Sequence, residues 1–265
     1  MNHLLRDVAP LTARGWEVVD DEARTRLTAL LAARKLVDFA GPHGWQRSAI
    51  ELGHAVDIEP PNPDLVAKQR VVQPLVELRV SFSLPRSVLD DIARGSSDPD
   101  LDSLADATRA IAAAENTAVF HGYPAGGIVG MTAASSHAPI ALEPDYAEYP
   151  ISVAKGINAL RSAGVEGPYG LAIGPEGYTG IVETAEGGGY PLIKHLTTIL
   201  GGPVVWSPGV TGAVLVSLRG GDFRFDSGQD LSIGYLSHDA SDVQLYLEES
   251  FTFRVSEADA AIALV

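Results

Sequence analysis

The sequence of 265 residues is long enough for one elaborate domain or two modest ones, and its 46% hydrophobic and 20% charged residues are typical of a folded chain. It contains no cysteine, which excludes disulfides, thiolate catalysis and cysteine-ligated metals. The net charge of −15 argues against nucleic-acid binding, and with neither an apolar run long enough for a membrane span nor a secretion signal we expect a cytoplasmic protein.

The first predicted element is a helix over residues 12–36, with Thr12 as a suitable N-cap. Its large side chains recur at spacings of three and four, which places them along one stripe. The stripe consists of Trp16, Val19, Ala23, Leu27, Leu30, Leu31 and Arg34. Such a stripe most often faces the core, but it can also line a groove for a partner, and both interpretations stay open.

The second element is a two-stranded arm. Two strand-like runs, Ile50–Ile58 and Val71–Phe82, flank the segment EPPNPD, whose three prolines cannot lie in the centre of a sheet. A two-stranded arm with a stiff tip buries little surface by itself. We therefore expect this arm to lie on another surface, such as a second subunit.

The segment SSDPDLDS (residues 96–103) spaces three aspartates as a calcium-binding loop does, but Ser103 and Arg109 stand where that loop requires glycine and glutamate. We therefore expect no metal here. Instead, Asp102 or Ser103 is predicted to cap a helix over Ser103–Phe120, with Asp106 completing a capping box with Ser103.

Further helices are predicted to begin at Pro150, ending near Gly164, and at Pro175. The segments YGLAI, VVW and GAVLVSL read as strands, and the C-terminal third is mostly strand. Strands and helices segregate along the chain instead of alternating, which indicates the α+β class.

The segment LRGGDFRFDSGQDLSIGY (residues 218–235) concentrates Asp222, Asp226 and Asp230 among four glycines. We interpret it as a hairpin, with aspartates in turns and at strand edges. No phosphate-loop, zinc-protease or nucleophile-elbow motif is present in the sequence. No catalytic residue is therefore predicted, although a hydrolase that uses Asp222, Asp226 or His238 stays open as an alternative.

Segments along the whole chain resemble the encapsulins, bacterial nanocompartment shell proteins also called linocins. They are LLRDVAPLTARGW, ARKLVDFAGPHGW, PLVELRVSFSLPRSVLDDIARGSSDPDL, GVEGPYGLAI, GGGYPLIKHL, RGGDF, GQDLSIGY and SFTF. Any one of these motifs is weak by itself, but their number and order make the resemblance specific.

The resemblance implies the α+β fold of tailed-phage major capsid proteins, with a peripheral domain, an axial domain and an extended loop. The implied division is an N-terminal arm and helix (1–46), the extended loop (47–80), the peripheral domain (81–131 and 214–265) and the axial domain (132–213). It also implies a homo-oligomer of about sixty subunits that forms a closed icosahedral shell. A phage major capsid protein, or a bacteriocin-like enzyme, is the alternative.

Encapsulins hold cargo enzymes through a C-terminal targeting peptide, here expected from a dye-decolorising peroxidase or a ferritin-like protein. The resemblance places the cargo dock at Leu27, Leu31, Arg34, Asp38, Asp230, Leu231, Ile233 and Tyr235. It places a five-fold pore loop at Glu183, Glu186, Gly187, Gly188 and Gly189. Some encapsulins bind flavin through an aromatic residue where this chain has Ser87, so we expect no cofactor.

Overall fold

The computed structural model describes residues 3–185 and 189–265. The helices are α1 Ala13–Leu30, α2 Arg86–Arg94, α3 Asp102–Phe120, α4 Met131–Ala134, α5 Tyr149–Ser162, α6 Pro175–Glu183 and α7 Leu192–Leu200. The strands are β1 Asp38–Ala40, β2 Ala49–Ile58, β3 Ala67–Pro74, β4 Val76–Pro85, β5 Tyr169–Ile173, β6 Val204–Trp206, β7 Ala213–Ser217, β8 Phe223–Ser227, β9 Ser232–His238, β10 Asp242–Val255 and β11 Ala261–Leu264. Within the described ranges, no helix is both long and apolar enough to cross a bilayer.

The main sheet is organised around β10. One edge of β10 pairs with β4 in antiparallel register, from Asp242 opposite Pro85 to Phe251 opposite Val76. The other edge pairs with β9 along its first half and with β8 along its second half, and β1 continues the sheet beyond β8. The helices α1, α2 and α3 cover part of one face, where Leu245 and Leu247 are buried.

A second sheet has the strand order β11, β7, β5, β6. Every residue of β5 and β7 is buried, as the apolar segments YGLAI and AVLVS predict. The helices α5 and α7 pack against this sheet. Because β11 at the C-terminal end pairs with β7, the last residues of the chain belong to this sheet and not to the main one. The predicted division into domains stays a prediction.

The helix prediction for residues 12–36 is confirmed at its start and wrong at its end. The Thr12 hydroxyl accepts a hydrogen bond from Gly15 N at 3.0 Å, as expected of an N-cap. The helix ends at Leu30 because the side chain of Asn116 in α3 forms hydrogen bonds with the backbone of Leu30 and Ala33. Its amide donates to Leu30 O at 2.9 Å, and its Oδ1 accepts from Ala33 N at 3.0 Å.

The predicted capping box at the start of α3 is wrong. The helix begins at Asp102, and its N-cap residue Leu101 provides no side-chain hydrogen bond. The Ser103 hydroxyl donates instead to Ser83 O of β4 at 2.6 Å. The Ser103 side chain thus contacts the main sheet instead of capping its own helix. The first backbone amide of the helix, that of Asp102, donates to Asp100 Oδ1 at 3.1 Å.

The arm is confirmed, but its second strand is shorter than predicted. The run Val71–Phe82 divides at Pro74, where β3 ends and β4 enters the main sheet. The arm therefore consists of β2 and β3, which form a separate two-stranded sheet with the proline-rich segment at its tip. Much of its apolar surface is exposed, up to 85% at Val66.

The hairpin predicted for residues 218–235 is wrong. The strands β8 and β9 do not pair with each other, but lie end to end along the same edge of β10. The RGGD turn connects β7 of one sheet to β8 of the other, with Gly220 and Gly221 at φ values of 83° and 84° that favour glycine. The local pattern was that of a hairpin, but the long β10 offers both strands a better partner.

The substitution Asn116→Ala is expected to lower the melting temperature by about 5–10 °C, because it leaves the buried Ala33 amide and the partly buried carbonyls of Leu30 and Pro208 without their hydrogen bonds to Asn116. Differential scanning fluorimetry measures the change. The matched control is Arg109→Ala on the exposed face of the same helix. Equal melting temperatures for the two variants would contradict the role assigned to Asn116.

Candidate functional site

A groove of about 400 Å³ lies between α1 and the beginning of β9. Its walls combine apolar side chains with charged groups at the margins. The lining residues are Leu4, Arg6, Asp20, Ala23, Arg24, Leu27, Thr28, Leu31, Arg34, Asp230, Leu231, Ser232, Ile233 and Leu247. An apolar depression with a few placed charges is a suitable binding site for a short peptide segment.

Six of the eight residues predicted for the cargo dock meet in this groove. They are Leu27, Leu31, Arg34, Asp230, Leu231 and Ile233. Leu27 and Ile233 are only 6% and 3% exposed, so they belong to the core and present one edge to the groove. The stripe is thus partly core, and four of its members, Ala23, Leu27, Leu31 and Arg34, line the groove. Its use by a partner stays a prediction.

Two predicted dock residues do not line the groove. Asp38 is exposed on β1 and accepts a hydrogen bond from Gly221 N at 2.6 Å, which places it beside the RGGD turn. Tyr235 lies further along β9, where its hydroxyl is 2.5 Å from His238 Nδ1. Their part in the dock stays a prediction, since the structure does not bring them to the groove.

Arg34 is the most heavily bonded side chain of the groove. Its guanidinium donates to Glu115 Oε2 at 2.6 Å, to Asp230 Oδ1 at 2.6 Å and to Glu249 Oε2 at 3.0 Å. It also lies 5.2 Å from the ring centre of Phe39 and 5.1 Å from that of Phe225. We call Arg34, Glu115, Glu249 and Asp230 the Arg34 cluster.

Burial and neighbouring charges shift the pKa values of Arg34 and Glu249. Burial acts to lower the pKa of Arg34, but the carboxylates of Glu115, Glu249 and Asp230 outweigh it and raise that pKa above its ordinary value. Burial, with Glu115 beside it, raises the pKa of Glu249 well above its usual range, although Arg34 opposes this shift. Burial therefore favours the protonated form of Glu249, although a permanently charged arginine lies beside it.

Asp230 connects the Arg34 cluster to the open groove. Its Oδ1 accepts from Arg34 and, at 2.9 Å, from Leu231 N. Its side chain remains 44% exposed, whereas the carboxyls of Glu115 and Glu249 are buried. Asp230 is thus the member of the cluster that an incoming ligand can touch.

The N-terminal segment supplies groove residues that sequence reasoning missed. Leu4 and Arg6 form one end of the groove, and Arg6 is held by Asp20 through hydrogen bonds of 2.6 and 3.2 Å. The Arg6 guanidinium also lies 4.0 Å from the ring centre of Trp16. The motif LLRD marks these residues, but no local pattern indicates that they fold back onto β9.

The three aspartates of residues 218–235 do not converge. Asp222 pairs with Arg219, Asp226 pairs with Arg224 and Arg254, and Asp230 pairs with Arg34. Each carboxylate is thus paired with at least one arginine, as expected of structural ion pairs. Across residues 3–185 and 189–265, no group of three or more acidic or histidine side chains could hold a metal.

The predicted pore loop is described only at its ends. Glu183 is the last residue of α6, and Gly189 has a φ of 80°. Glu186, Gly187 and Gly188 lie outside the described residues. Ser87, at the position of the flavin-binding aromatic, is exposed on α2, and the expectation that no cofactor binds there stays a prediction.

The raised pKa of Glu249 predicts a pH dependence of stability. Above the ordinary glutamate pKa of about 4.3 the unfolded chain loses this proton while the folded state keeps it, so stability falls as the pH rises toward the folded-state pKa of Glu249, by up to about 1.4 kcal/mol per pH unit. The variant Glu249→Gln keeps the hydrogen-bonding shape and removes this contribution.

Melting temperatures measured from pH 5 upward, a range that begins just above the ordinary glutamate pKa, are expected to fall more steeply for the wild type than for Glu249→Gln. The matched control is Glu17→Gln on the exposed face of α1, which should follow the wild-type curve. Parallel curves for all three proteins would show that Glu249 is ionised in the folded state.

Comparison with known proteins identifies the family. The family model described as "Encapsulating protein for peroxidase" matches residues 1–252. The chain is 48% identical to a type 1 encapsulin shell protein of Rhodospirillum rubrum, over all of this chain and 96% of the relative. It is 42% identical to one from Brevibacterium linens, over all of this chain and 99% of the relative.

Solved structures support the fold. A virus-like particle protein from Pyrococcus furiosus superimposes with a TM-score of 0.64 at 15% identity, covering 94% of this chain and 99% of that one. A structure of Mycobacterium phage Bobi gives 0.59 at 15% identity, covering 89% and 90%. These similarities show the phage-capsid fold. The curated relatives are structural shell proteins, so the alternative that this chain is a hydrolase or a bacteriocin-like enzyme is wrong. The chain belongs to the encapsulin family of structural shell proteins.

Proposed function

We propose that about sixty copies of this chain assemble into a closed icosahedral shell with pores, a cytoplasmic nanocompartment that encloses a cargo enzyme. The C-terminal targeting peptide of the cargo binds in the groove between α1 and β9. The observation that carries the cargo proposal is the convergence of Leu27, Leu31, Leu231 and Ile233 on a groove that ends at Asp230 and Arg34.

The arm supports assembly. The strands β2 and β3 pair only with each other in the described chain, and an isolated two-stranded sheet is marginally stable in water. Val56, Ile58 and Val66 are 49%, 46% and 85% exposed. A neighbouring subunit that receives the arm would bury these side chains and stabilise both partners.

The groove supports a weak and reversible dock. It is small and half apolar, and Arg34 and Arg6 are already held by acidic side chains of the same chain. A single targeting peptide bound in a single groove is therefore expected to have modest affinity. Many equivalent grooves on one inner surface would hold a multimeric cargo through multivalent binding.

The family description favours a peroxidase as the cargo, and we propose the dye-decolorising class. A ferritin-like protein is the second candidate. In either case, a cargo with several copies of a flexible C-terminal tail would occupy several grooves at once.

Size-exclusion chromatography with electron microscopy tests assembly. Sixty subunits of 27.9 kDa predict a uniform hollow particle of about 1.7 MDa. Replacing both Val56 and Ile58 by aspartate is expected to reduce the yield of closed particles, because it places charges on the buried side of the arm contact. Purified wild-type protein that elutes as a monomer or dimer would contradict the shell.

Co-expression tests the cargo dock. The dye-decolorising peroxidase of the same organism is expected to co-purify with the shell, and a peroxidase lacking its C-terminal tail is not. In the shell, Leu231→Asp should reduce the peroxidase captured at least about tenfold, because it places a charge in the apolar part of the groove.

The matched control for the dock is Leu236→Asp on the same strand, outside the groove and already 43% exposed. It should load like the wild type. Equal loading of both variants in intact shells would place the dock elsewhere. If the tail-dependent cargo is instead the ferritin-like protein, the same pair of variants locates its dock.

A further inference from the structure

We infer that a cavity at the base of the arm binds a small organic anion, a carboxylate with an apolar body. The cavity measures about 680 Å³ and lies between the arm, the end of β10 and the segment that follows α3. It shares no lining residue with the groove between α1 and β9. The inference therefore goes beyond the proposed function and depends neither on assembly nor on cargo.

A bulge in β2 shapes one wall of this cavity. The pairing of β2 with β3 shifts between Glu51 and Ala55, where three residues of β2 stand opposite one residue of β3. Gly53 in the middle of the bulge has a φ of 76°, which favours glycine. Leu52 and His54 on either side of it line the cavity. Bulges often redirect side chains beside functional sites, and this one provides the cavity with an apolar and a polar group.

The end of β10 forms the opposite wall. Gln73 of β3 donates from Nε2 to Phe253 O at 2.8 Å, which ties the base of the arm to the main sheet. Phe253 and Val255 line the cavity together with Val129 from the segment after α3. Val129 is 55% exposed although it is apolar. The cavity thus offers apolar surface to a ligand, in a volume typical of small-molecule sites.

Arg254 of β10 gives the cavity its charge. Its side chain is 25% exposed, and its Nε is buried without a hydrogen-bond partner. Within the described ranges, its one side-chain hydrogen bond runs from Nη2 to Asp226 Oδ2 at 3.3 Å. Asp226 also accepts from Arg224 Nε at 3.0 Å, and Arg224 stands opposite Arg254 in the register of β8 and β10. Two neighbouring guanidiniums thus share one carboxylate, which leaves one positive charge in excess.

This excess charge lies beside a cavity that has no acidic side chain. The chain carries 34 acidic residues, but none of the described residues lining the cavity is an aspartate or a glutamate. One unpaired positive charge matches a monoanion, and a carboxylate fits the donor fork of a guanidinium. The apolar walls favour a hydrocarbon body next to that carboxylate. The ligand class is therefore an amphiphilic monocarboxylate.

Isothermal titration calorimetry on the purified, assembled protein tests this site. The probe is octanoate, with octanamide as the neutral control of the same length. Octanoate is expected to bind at least about tenfold more tightly than octanamide, because only the carboxylate pairs with Arg254. The variant Arg254→Gln should lower the affinity for octanoate about tenfold or more and change that for octanamide less than about threefold. The matched control Arg109→Gln, on the exposed face of α3, should bind octanoate like the wild type.

A charge-reversal pair at Val129 keeps the test independent of the folding of Arg254→Gln. Because Val129 is exposed, either charge can be placed there without unfolding the chain. Val129→Asp is expected to weaken octanoate binding about threefold or more by like-charge repulsion, whereas Val129→Lys should preserve or strengthen it. Equal losses in both variants would assign the binding to apolar contacts alone and overturn the anion site. Undetectable octanoate binding, or binding that Arg254→Gln leaves unchanged, would overturn it as well.

Discussion

The buried ion pairs of Arg34 are the contact on which the groove depends. One guanidinium joins Glu115 of α3, Glu249 of β10 and Asp230 at the start of β9. Buried carboxylates destabilise a protein unless they are paired, so removing the arginine would leave uncompensated charge in the core. The cluster therefore fixes the turn after α1 relative to α3, to the central strand β10 and to Asp230 at the edge of the groove.

The early end of α1 makes this cluster possible. If the helix continued to residue 36, as its periodicity suggests, residues 31–36 would follow its axis. Asn116 instead satisfies the backbone at Leu30 and Ala33, and a 3₁₀ turn over Ala33–Lys35 directs Arg34 toward α3. The groove is the space between that turn and β9, so its shape follows from a side chain 83 residues away from Ala33.

The arm leaves strand edges without full pairing in the described chain, which fits a shell protein. Open edges invite pairing with other chains, and proteins usually block them. The arm also exposes apolar side chains, among them Val56 and Ile58. Under the proposed function, a neighbouring subunit covers this surface, and cargo covers the groove between α1 and β9.

The sequence by itself determined those features that neighbouring residues decide: the Thr12 cap, the proline-tipped arm, the buried strand β5 and, through many ordered motifs, the family. Tertiary structure alone decided that β8 and β9 share one edge of β10, that α1 stops at Leu30, and that Leu4 and Arg6 complete the groove. The reason is distance along the chain. Arg34 meets partners 81, 196 and 215 residues away, and no local pattern records which of the many carboxylates will arrive there.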